Sequence, residues 1–361
     1  MQLRERLAAI PAARGDGRGI DPLARLRRPQ VPFVASEEHI AIDDLGLAVI
    51  GRVAPDAMLF EQLGLRGEAP TEWREILFLD TETSGLAGGA GTYVFLLGTL
   101  EIDDGELVIR QHALFDLGRE RAFVEEIASY LGRFRACASF NGMSFDLPLL
   151  KDRVALHFRA TLSVDESHLD LLHPARRWWR ARTGSARLRD LEDRVLLDPR
   201  EDDLPGDQIP RTYFTFLATG DESLLAPIAL HNRRDLLALI RLADRMCSGV
   251  IAARAGRTPL DAHEAFAMAG VFERHGESRA ARECFEAAFH DGDSALRRRA
   301  SLPYARALER EGDRSRAISV VELALALGHE CSKSWREQAE SRLRRLYRMA
   351  NRSHAVAARP P

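Results

Sequence analysis

The segment ILFLDTETSGLAGGAGTYVFLLGTL, residues 76–100, decides the fold of this chain. Two short apolar runs, Ile76–Leu79 and Tyr93–Leu100, flank the acidic sequence DTE and a glycine-rich loop. Apolar runs of this length, bounded by turn-forming residues, predict two buried strands joined by a tight connection. The segment therefore predicts a sheet that carries polar groups at the end of its first strand.

The acidic residues of that segment are Asp80 and Glu82, which lie two positions apart. Side chains two apart on a strand point to the same face, so we expect the two carboxylates to lie side by side. At the end of a buried strand they repel each other unless a proton or a cation neutralises them. A hard divalent cation is the natural neutraliser. The alternative is a solvated strand end that leads into a turn.

The pattern beyond this segment predicts hairpin-linked strands followed by alternating helices and strands. We expect strands at 76–80, 92–102, 106–115, 136–140 and near 162–164, and helices at 121–134, at 148–156 and in the later half of 168–182. Asp103-Asp104-Gly105 is a typical hairpin turn. Such an order predicts an α/β fold, with a mixed sheet covered by helices.

Two further polar motifs follow in the chain. Asp146, in the sequence NGMSFD, starts a helix just past a predicted buried strand, the edge at which open α/β sheets bind ligands. Asp is also a common helix cap, which is the structural alternative. His231 and Asp235 begin a later helix and share one face, one turn apart. A surface His–Asp pair is the alternative for this motif.

Together the three motifs resemble the exonuclease motifs of the DEDD (DnaQ-like) superfamily. The segments LFLDTETSGLAGGAGTYVFLLG, ASFNGMSFDLPLL, LDLLHPARRWWR, LRDLEDRVL, DDLPGDQIP and LHNRRDLLAL resemble more closely the YprB-like ribonuclease-H-like proteins, from about residue 76 to 242. The resemblance implies a ribonuclease-H-like fold, two divalent metal ions, Mg²⁺ or Mn²⁺, and hydrolysis of phosphodiester bonds. Within the superfamily, cleavage usually proceeds from the 3′ end.

The candidate metal ligands are Asp80, Glu82, Asp146 and Asp235, called below the four carboxylates. Two-metal hydrolysis needs such charge to stabilise the attacking and leaving oxygens. We expect Asp80 to bridge the ions, Glu82 and Asp235 to hold the ion beside the attacking water, and Asp146 to lie beside the other. His231 would orient or deprotonate that water. It lies four residues before Asp235, whereas the histidine branch of the superfamily usually places its His five residues before.

Several residues are candidate contacts for single-stranded DNA or RNA. Thr83, Leu86 and Asn141 lie near the motifs, and the glycine-rich loop would let a 3′ end approach the backbone. No Gly-Lys-Ser/Thr follows the loop, which disfavours a P-loop. In the insertion 168–225, arginines interleave with tryptophans, a pattern suited to phosphates and stacked bases. The candidates there are Arg176, Arg177, Trp178 and Arg180. The alternative is a helix with one buried tryptophan and a solvated arginine face.

Composition restricts the classes of protein that this chain can form. At 361 residues we expect two or more domains, and 45% hydrophobic and 29% charged residues describe a globular protein. The net charge of -3 gives no global attraction to nucleic acid. The four cysteines are widely spaced, without the spacing of a zinc site, and fit a reducing cytosol. No apolar run is long enough to span a membrane, so no membrane span is expected. With the cysteine pattern, the expected location is cytoplasmic.

After residue 249 the sequence becomes rich in alanine and helical in pattern. ERHGESRAARECFEAAF recurs as EREGDRSRAISVVELAL, with Gly276 and Gly312 spaced 36 apart. This period resembles tetratricopeptide-type helical hairpins, and a simple helical bundle is the alternative. We expect an N-terminal extension at 1–70, a ribonuclease-H-like exonuclease domain at 71–250 and a helical-repeat domain at 255–350, with a protein partner for the repeats. The rival hypothesis is a catalytically silent adaptor that binds nucleic acid or protein.

Overall fold

A computed structural model describes residues 33–85, 91–162, 167–257, 261–327 and 332–357, with side chains as far as residue 351. The chain divides into two compact units. The first, here the sheet unit, comprises residues 1–176 and 185–248. The second, here the helical unit, comprises residues 177–184 and 249–361. Each unit is described by itself.

The sheet unit is built on one mixed seven-stranded sheet. The strands are β1 Val34–Ala41, β2 Leu65–Arg66, β3 Ile76–Thr83, β4 Val94–Asp103, β5 Glu106–Ala113, β6 Ala136–Ser139 and β7 His168–Asp170. Their spatial order is β1-β5-β4-β3-β6-β7-β2. Strands β3, β6 and β7 are parallel, so their carboxyl ends meet at one edge of the sheet. That edge carries the first two polar motifs.

The other regular elements of the described residues are mainly helices. They are α1 Ile42–Leu45, α2 Ala57–Gln62, α3 Glu120–Leu131, α4 Asp146–Phe158, α5 Leu172–Trp178, α6 Arg180–Thr183, α7 Leu188–Leu191, α8 Ile209–Thr219, α9 Leu225–Arg254, α10 Ala262–Arg274, α11 Ser278–Asp291, α12 Ser294–Arg310, α13 Arg314–Ala326 and α14 Lys333–Ala357. A π-helical turn, Glu192–Leu196, and short 3-10 turns lie between them.

The centre of the sheet forms because its strands are apolar on both faces. The first four residues of β3 are buried, as are the first nine of β4. The hairpin between β4 and β5 closes at Asp104 and Gly105, whose φ angles of 42° and 82° both lie in the left-handed region. Two consecutive positive φ angles match a type I′ turn, which suits the twist of antiparallel strands. The sheet therefore holds the end of β3 on a rigid base.

The predicted α/β architecture is confirmed: a mixed sheet flanked by helices, followed by a helical region. Two predicted elements differ from the structure. The strand expected near 162–164 is instead His168–Asp170; Leu162 is not in a strand, and residues 163–166 lie outside the described residues. The helix expected to begin at His231 begins six residues earlier, at Leu225. The third motif therefore lies inside a long helix and not at its N-terminus.

The helical unit contains two helical hairpins joined at glycines. Gly276 lies between α10 and α11 with a φ of 75°, and Gly312 lies between α12 and α13 with a φ of 86°. Both conformations favour glycine because it has no Cβ. The helical character is as predicted, whereas the tetratricopeptide class and its protein partner stay predictions. Among the described residues, the helices are all too short or too polar to cross a membrane.

Candidate active site

The end of β3 presents the first pair of acidic side chains. Asp80 is partly buried and Glu82 is only 8% exposed. The neighbouring strand β4 offers Gly98 opposite Asp80 and Leu96 opposite Glu82. Because Gly98 has no side chain, there is room beside Asp80 for a side chain from another element.

The second motif is connected to β3 by direct hydrogen bonds. The backbone N–H of Thr81 donates to Asp146 Oδ1 at 3.1 Å, and the Thr81 hydroxyl donates to the same oxygen. Asp146 is the first residue of α4 and is 9% exposed. The Asp146 carboxylate is therefore held against β3 by Thr81, the residue between Asp80 and Glu82 in the sequence.

The turn before Asp146 is shaped by Asp170 at the end of β7. Asp170 accepts hydrogen bonds from the backbone N–H groups of Asn141 at 2.8 Å, Met143 at 3.3 Å and Leu172 at 3.1 Å. It is 1% exposed, and these three bonds fix the backbone around it. Asn141 has a φ of 71°, a left-handed conformation that Asn tolerates better than most residues. Asp170 therefore shapes the loop that carries Asp146.

Asn232, a residue that sequence reasoning did not select, connects the third motif to the first. Its Nδ2 donates to Asp80 Oδ2 at 2.8 Å and to the Asp80 carbonyl at 3.1 Å. Its Oδ1 accepts from Gln111 Nε2 at 3.0 Å. Asn232 is fully buried and lies on the same helical stripe as the buried residues Ile228 and Leu236. A polar residue on an apolar stripe was the signal available in the sequence.

His231, the neighbour of Asn232 in α9, contacts Asp203 in the segment that precedes α8. Its Nδ1 lies 3.0 Å from Asp203 Oδ2, and its Nε2 lies 3.8 Å from Asp235 Oδ2. The Asp203 side chain is only 1% exposed. The hydrogen bond of Asp203 raises the pKa of His231 above its ordinary value, although burial alone would lower it. The same bond holds the pKa of Asp203 at about 2, against the opposite effect of burial.

Asp235 is paired with Arg200, a second residue that the sequence did not single out. The Arg200 guanidinium is 3% exposed and contacts Asp235, Glu192 at 2.5 Å and Asp203 at 3.1 Å. These attractions raise the pKa of Arg200 despite its burial. Burial raises the pKa of Glu192 to about 7. Arg200 therefore acts as a buried cation among three acidic groups.

The pKa values of Asp80, Glu82 and Asp146 are all raised in the folded protein. Burial, and then the charges of Asp235, Glu82 and Asp146, raise the pKa of Asp80 well above its ordinary value. Burial is also the main reason that the pKa of Glu82 is raised to about 8, and the charges of Asp235 and Asp146 raise it further. Burial likewise raises the pKa of Asp146, although the bonds from Thr81 oppose the rise. The site therefore has a deficit of positive charge.

The deficit of positive charge indicates whether divalent metal ions would fit among the four carboxylates. Carboxylate oxygens are the ligands that Mg²⁺ and Mn²⁺ prefer, and a cation would lower the raised pKa values. In the described part of the chain, no group of three or more His, Cys, Asp or Glu side chains is already arranged as a metal cage. The side chains of Asp80, Asp146 and Asp235 instead contact Asn232, Thr81 and Arg200. The donor chemistry fits, and those contacts would have to rearrange.

The tryptophan of the predicted nucleic-acid contact is not available to stack on a base. Trp178 is fully buried, and so is Trp179, whose indole N–H donates to Glu264 at 2.8 Å. A buried ring has no free face, so the prediction that Trp178 binds nucleic acid is wrong. The alternative drawn from the sequence was a helix with one buried tryptophan. In the structure both tryptophans are buried.

The other predicted nucleic-acid contacts stay predictions. The side chains of Arg176, Arg177 and Arg180 are exposed. Thr83 and Asn141 are partly buried near the four carboxylates, and the Thr83 hydroxyl donates to the carbonyl of Gly85 at 2.9 Å. Leu86, the remaining candidate, lies outside the described residues.

The sheet and its acidic edge define a ribonuclease-H-type domain. Residues 77–247 match the family model RNase_H_2, described as RNase_H superfamily, and this range includes all four carboxylates. The chain belongs to the family of the protein YprB from Bacillus subtilis (strain 168). The two are 31% identical over 280 residues, which cover 73% of this chain and 67% of YprB.

A likeness to a solved structure was also found. The family B DNA polymerase from the hyperthermophilic archaeon Pyrobaculum calidifontis aligns with a TM-score of 0.38 and 15% sequence identity. The alignment covers 55% of this chain and 29% of the polymerase chain.

Proposed function

We propose that the protein is a metal-dependent 3′–5′ exonuclease that hydrolyses single-stranded nucleic acid. One observation carries the proposal. Acidic side chains from β3, α4 and α9 surround Asp80 at the sheet edge where the parallel strands end, and burial together with their charges raises its pKa. A ribonuclease-H-type fold with such a charge deficit suits hydrolysis of a phosphodiester, because metal ions neutralise carboxylates and phosphate together.

The roles of the residues follow from their positions. The four carboxylates would hold two Mg²⁺ or Mn²⁺ ions, which, when bound, stabilise the attacking and leaving oxygens of the phosphodiester. Asn232 fixes Asp80, and Thr81 fixes Asp146. His231 would accept the proton of the attacking water, with Asp203 orienting its ring through Nδ1. Thr83 and Asn141 would contact the strand that is cleaved.

The Arg200–Asp235 ion pair supports the rival function, a catalytically silent binding module. In this arrangement a guanidinium, and not a metal ion, neutralises Asp235. A silent protein would retain nucleic-acid binding without divalent cations and would not cleave. The two functions therefore differ in one measurement, which is hydrolysis.

The test is degradation of 3′- and 5′-labelled single-stranded RNA and DNA with Mg²⁺ or Mn²⁺. We expect stepwise shortening from the 3′ end by the wild-type protein and none by Asp80→Asn, which removes the charge at nearly constant size. Asp103→Asn, at the exposed end of β4, is the matched control and should cleave normally. Equal hydrolysis by Asp80→Asn and wild type would refute the metal site. No hydrolysis by wild type with either ion would favour the silent module.

A further inference from the structure

The helical unit has its own concentration of positive charge. Helices α12 and α14 together contain twelve Arg and Lys residues and three Glu residues, in a chain whose net charge is -3. Such a local excess attracts polyanions even where the whole protein is slightly acidic.

A groove with a volume of about 500 Å³ lies between these two helices. Four arginines line it: Arg306 from α12, and Arg342, Arg345 and Arg348 from α14. Glu337 is the one acidic residue of the lining. Positions 342, 345 and 348 follow one another at three-residue intervals, so they extend over roughly 9 Å of the helix. The groove therefore presents a row of guanidinium groups.

Two of these arginines have no acidic partner within the structure. Arg342 and Arg345 both contact Glu309, which neutralises part of their charge. Across the described residues, Arg306 and Arg348 form neither an ion pair nor a hydrogen bond. Arg348 is exposed and Arg306 is partly exposed. Their guanidinium groups are therefore available to an external anion, and the planar fork of arginine suits phosphate.

We propose that the groove between α12 and α14 binds the phosphate backbone of single-stranded nucleic acid. An acidic peptide is less suitable, because peptide grooves anchor apolar side chains and Leu302 is the one apolar residue that lines this groove. A row of arginines with polar neighbours matches a backbone of repeated charges and reads no sequence. The inference rests on the proposed function only in taking this nucleic acid to be the substrate.

The test measures binding without cleavage. Full-length protein in EDTA is titrated with fluorescein-labelled single-stranded DNA and RNA by anisotropy, over 50 to 300 mM salt. The variant Arg306→Gln/Arg348→Gln removes the two unpaired cations. We expect its affinity to fall about tenfold or more, and the slope of log K against log salt to decrease by about 1.4, which corresponds to two lost phosphate contacts on a single strand.

Two controls separate charge at this groove from charge in general. Arg279→Gln/Arg310→Gln removes two exposed arginines of the same unit that pair with Glu283 and Glu273. It should bind nearly as wild type. The conservative variant Arg306→Lys/Arg348→Lys should regain most of the affinity and the salt slope. Unchanged melting temperatures would exclude unfolding as the cause.

The outcomes separate this inference from the proposed function. The assay contains no divalent metal, so it gives the same result whether or not the protein hydrolyses its ligand. Equal affinity and salt slope for wild type and Arg306→Gln/Arg348→Gln would overturn the inference, as would failure of wild type to bind either nucleic acid. If Arg306→Gln/Arg348→Gln loses the binding of poly-glutamate that wild type shows and still binds nucleic acid as wild type does, the ligand of the groove is an acidic protein instead.

Discussion

The side-chain amide of Asn232 is bonded to Asp80 twice, to the carboxylate at 2.8 Å and to the backbone carbonyl at 3.1 Å. Asn232 belongs to α9 and Asp80 to β3, so one amide sets the position of the third motif relative to the first. Its other end accepts a hydrogen bond from Gln111, which is also buried. Each partner depends on the other, since a buried polar group without a partner is costly.

Asn232→Ala tests this relationship. It would leave Asp80 without its amide donor and Gln111 with one acceptor fewer. We expect the free energy of unfolding, measured with denaturant in EDTA, to fall by about 1–3 kcal/mol. Hydrolysis should fall as well, because Asp80 loses its orientation. Asn351→Ala, at an exposed site near the end of α14, is the control and should change neither quantity. Full stability in Asn232→Ala would contradict the assignment.

Gly98 provides the space for this bond, and Gly98→Ala should disrupt it. A Cβ at Gly98 would lie 2.0 Å from Asn232 Oδ1, so Asn232 or the strand must move. We expect a lower melting temperature and less hydrolysis. Gly206→Ala is the matched control, because a Cβ there meets no atom within 4 Å. If both variants melt and cleave alike, α9 does not approach β4 as closely as the structure shows.

The sequence predicted the parts of the fold that depend on local pattern. Apolar runs indicated the central strands, and the hairpin turn at Asp104 and Gly105 followed from residue type. The edge strands β1 and β2 were not predicted. Strand β1 is almost entirely of intermediate burial, so it lacks the clear alternation that marks a half-buried strand. It is held by pairing with β5 and by the ion pair between Glu38 and Arg233, contacts distant in sequence.

The candidate site shows the same division between local and distant information. Carboxylates at strand and helix ends can be recognised because their position in an element has chemical meaning. Arg200 could not be chosen among the many arginines, because its burial depends on Asp235, 35 residues away, and on the π-helical turn that carries Glu192. The prediction for Trp178 was wrong for the same reason. The sequence gives the residue type, but packing decides whether the ring is exposed.

The raised pKa of Glu82 predicts how stability depends on pH. Its pKa is about 8 in the folded protein and 4.5 ordinarily, so the folded state binds the proton more tightly. Stability from this group is complete below pH 4.5 and is lost as the pH rises towards 8. In EDTA, Glu82→Gln should therefore melt higher than wild type at pH 8.5 and about equally at pH 4.5. An equal difference at both pH values would show that Glu82 does not titrate in this range.

Arg200→Gln tests the buried cation. Removing it leaves Glu192, Asp203 and Asp235 without their shared partner, and loss of one member of a buried ion pair typically costs about 3–5 kcal/mol. We expect this loss in the free energy of unfolding in EDTA. Mg²⁺ should raise the melting temperature of Arg200→Gln more than that of wild type, because Asp235 is then unpaired.

Arg241→Gln is the control for Arg200, because its partner Asp198 is 60% exposed. Its cost should stay below about 1 kcal/mol, as for other exposed pairs. A similar cost in the two variants would mean that Arg200 contributes no more than a surface ion pair. An equal response of wild type and Arg200→Gln to Mg²⁺ would mean that Arg200 does not compete with metal for Asp235.

The pairing of His231 with Asp203 predicts both a rate and a pH profile. As a general base, His231 should contribute about 10²–10⁴ to turnover, so His231→Ala should lose that factor and keep its affinity for Mg²⁺. A base acts only when deprotonated, so the rate should rise as the pH passes the pKa of His231. Asp203 raises this pKa, and Asp203→Asn should therefore shift the acidic limb of the profile to lower pH.

The measurement is the pH profile of turnover together with NMR titration of the His231 ring in wild type and Asp203→Asn. The control is Asp202→Asn, the same substitution one residue earlier, at an exposed position with a φ of 51° that Asn adopts readily. It should leave both pKa and rate unchanged. If the ring titrates identically in Asp203→Asn and wild type, the 3.0 Å contact does not set the basicity of His231. If the ring pKa falls and the acidic limb stays fixed, another group is the base, and His231 is a structural residue of α9.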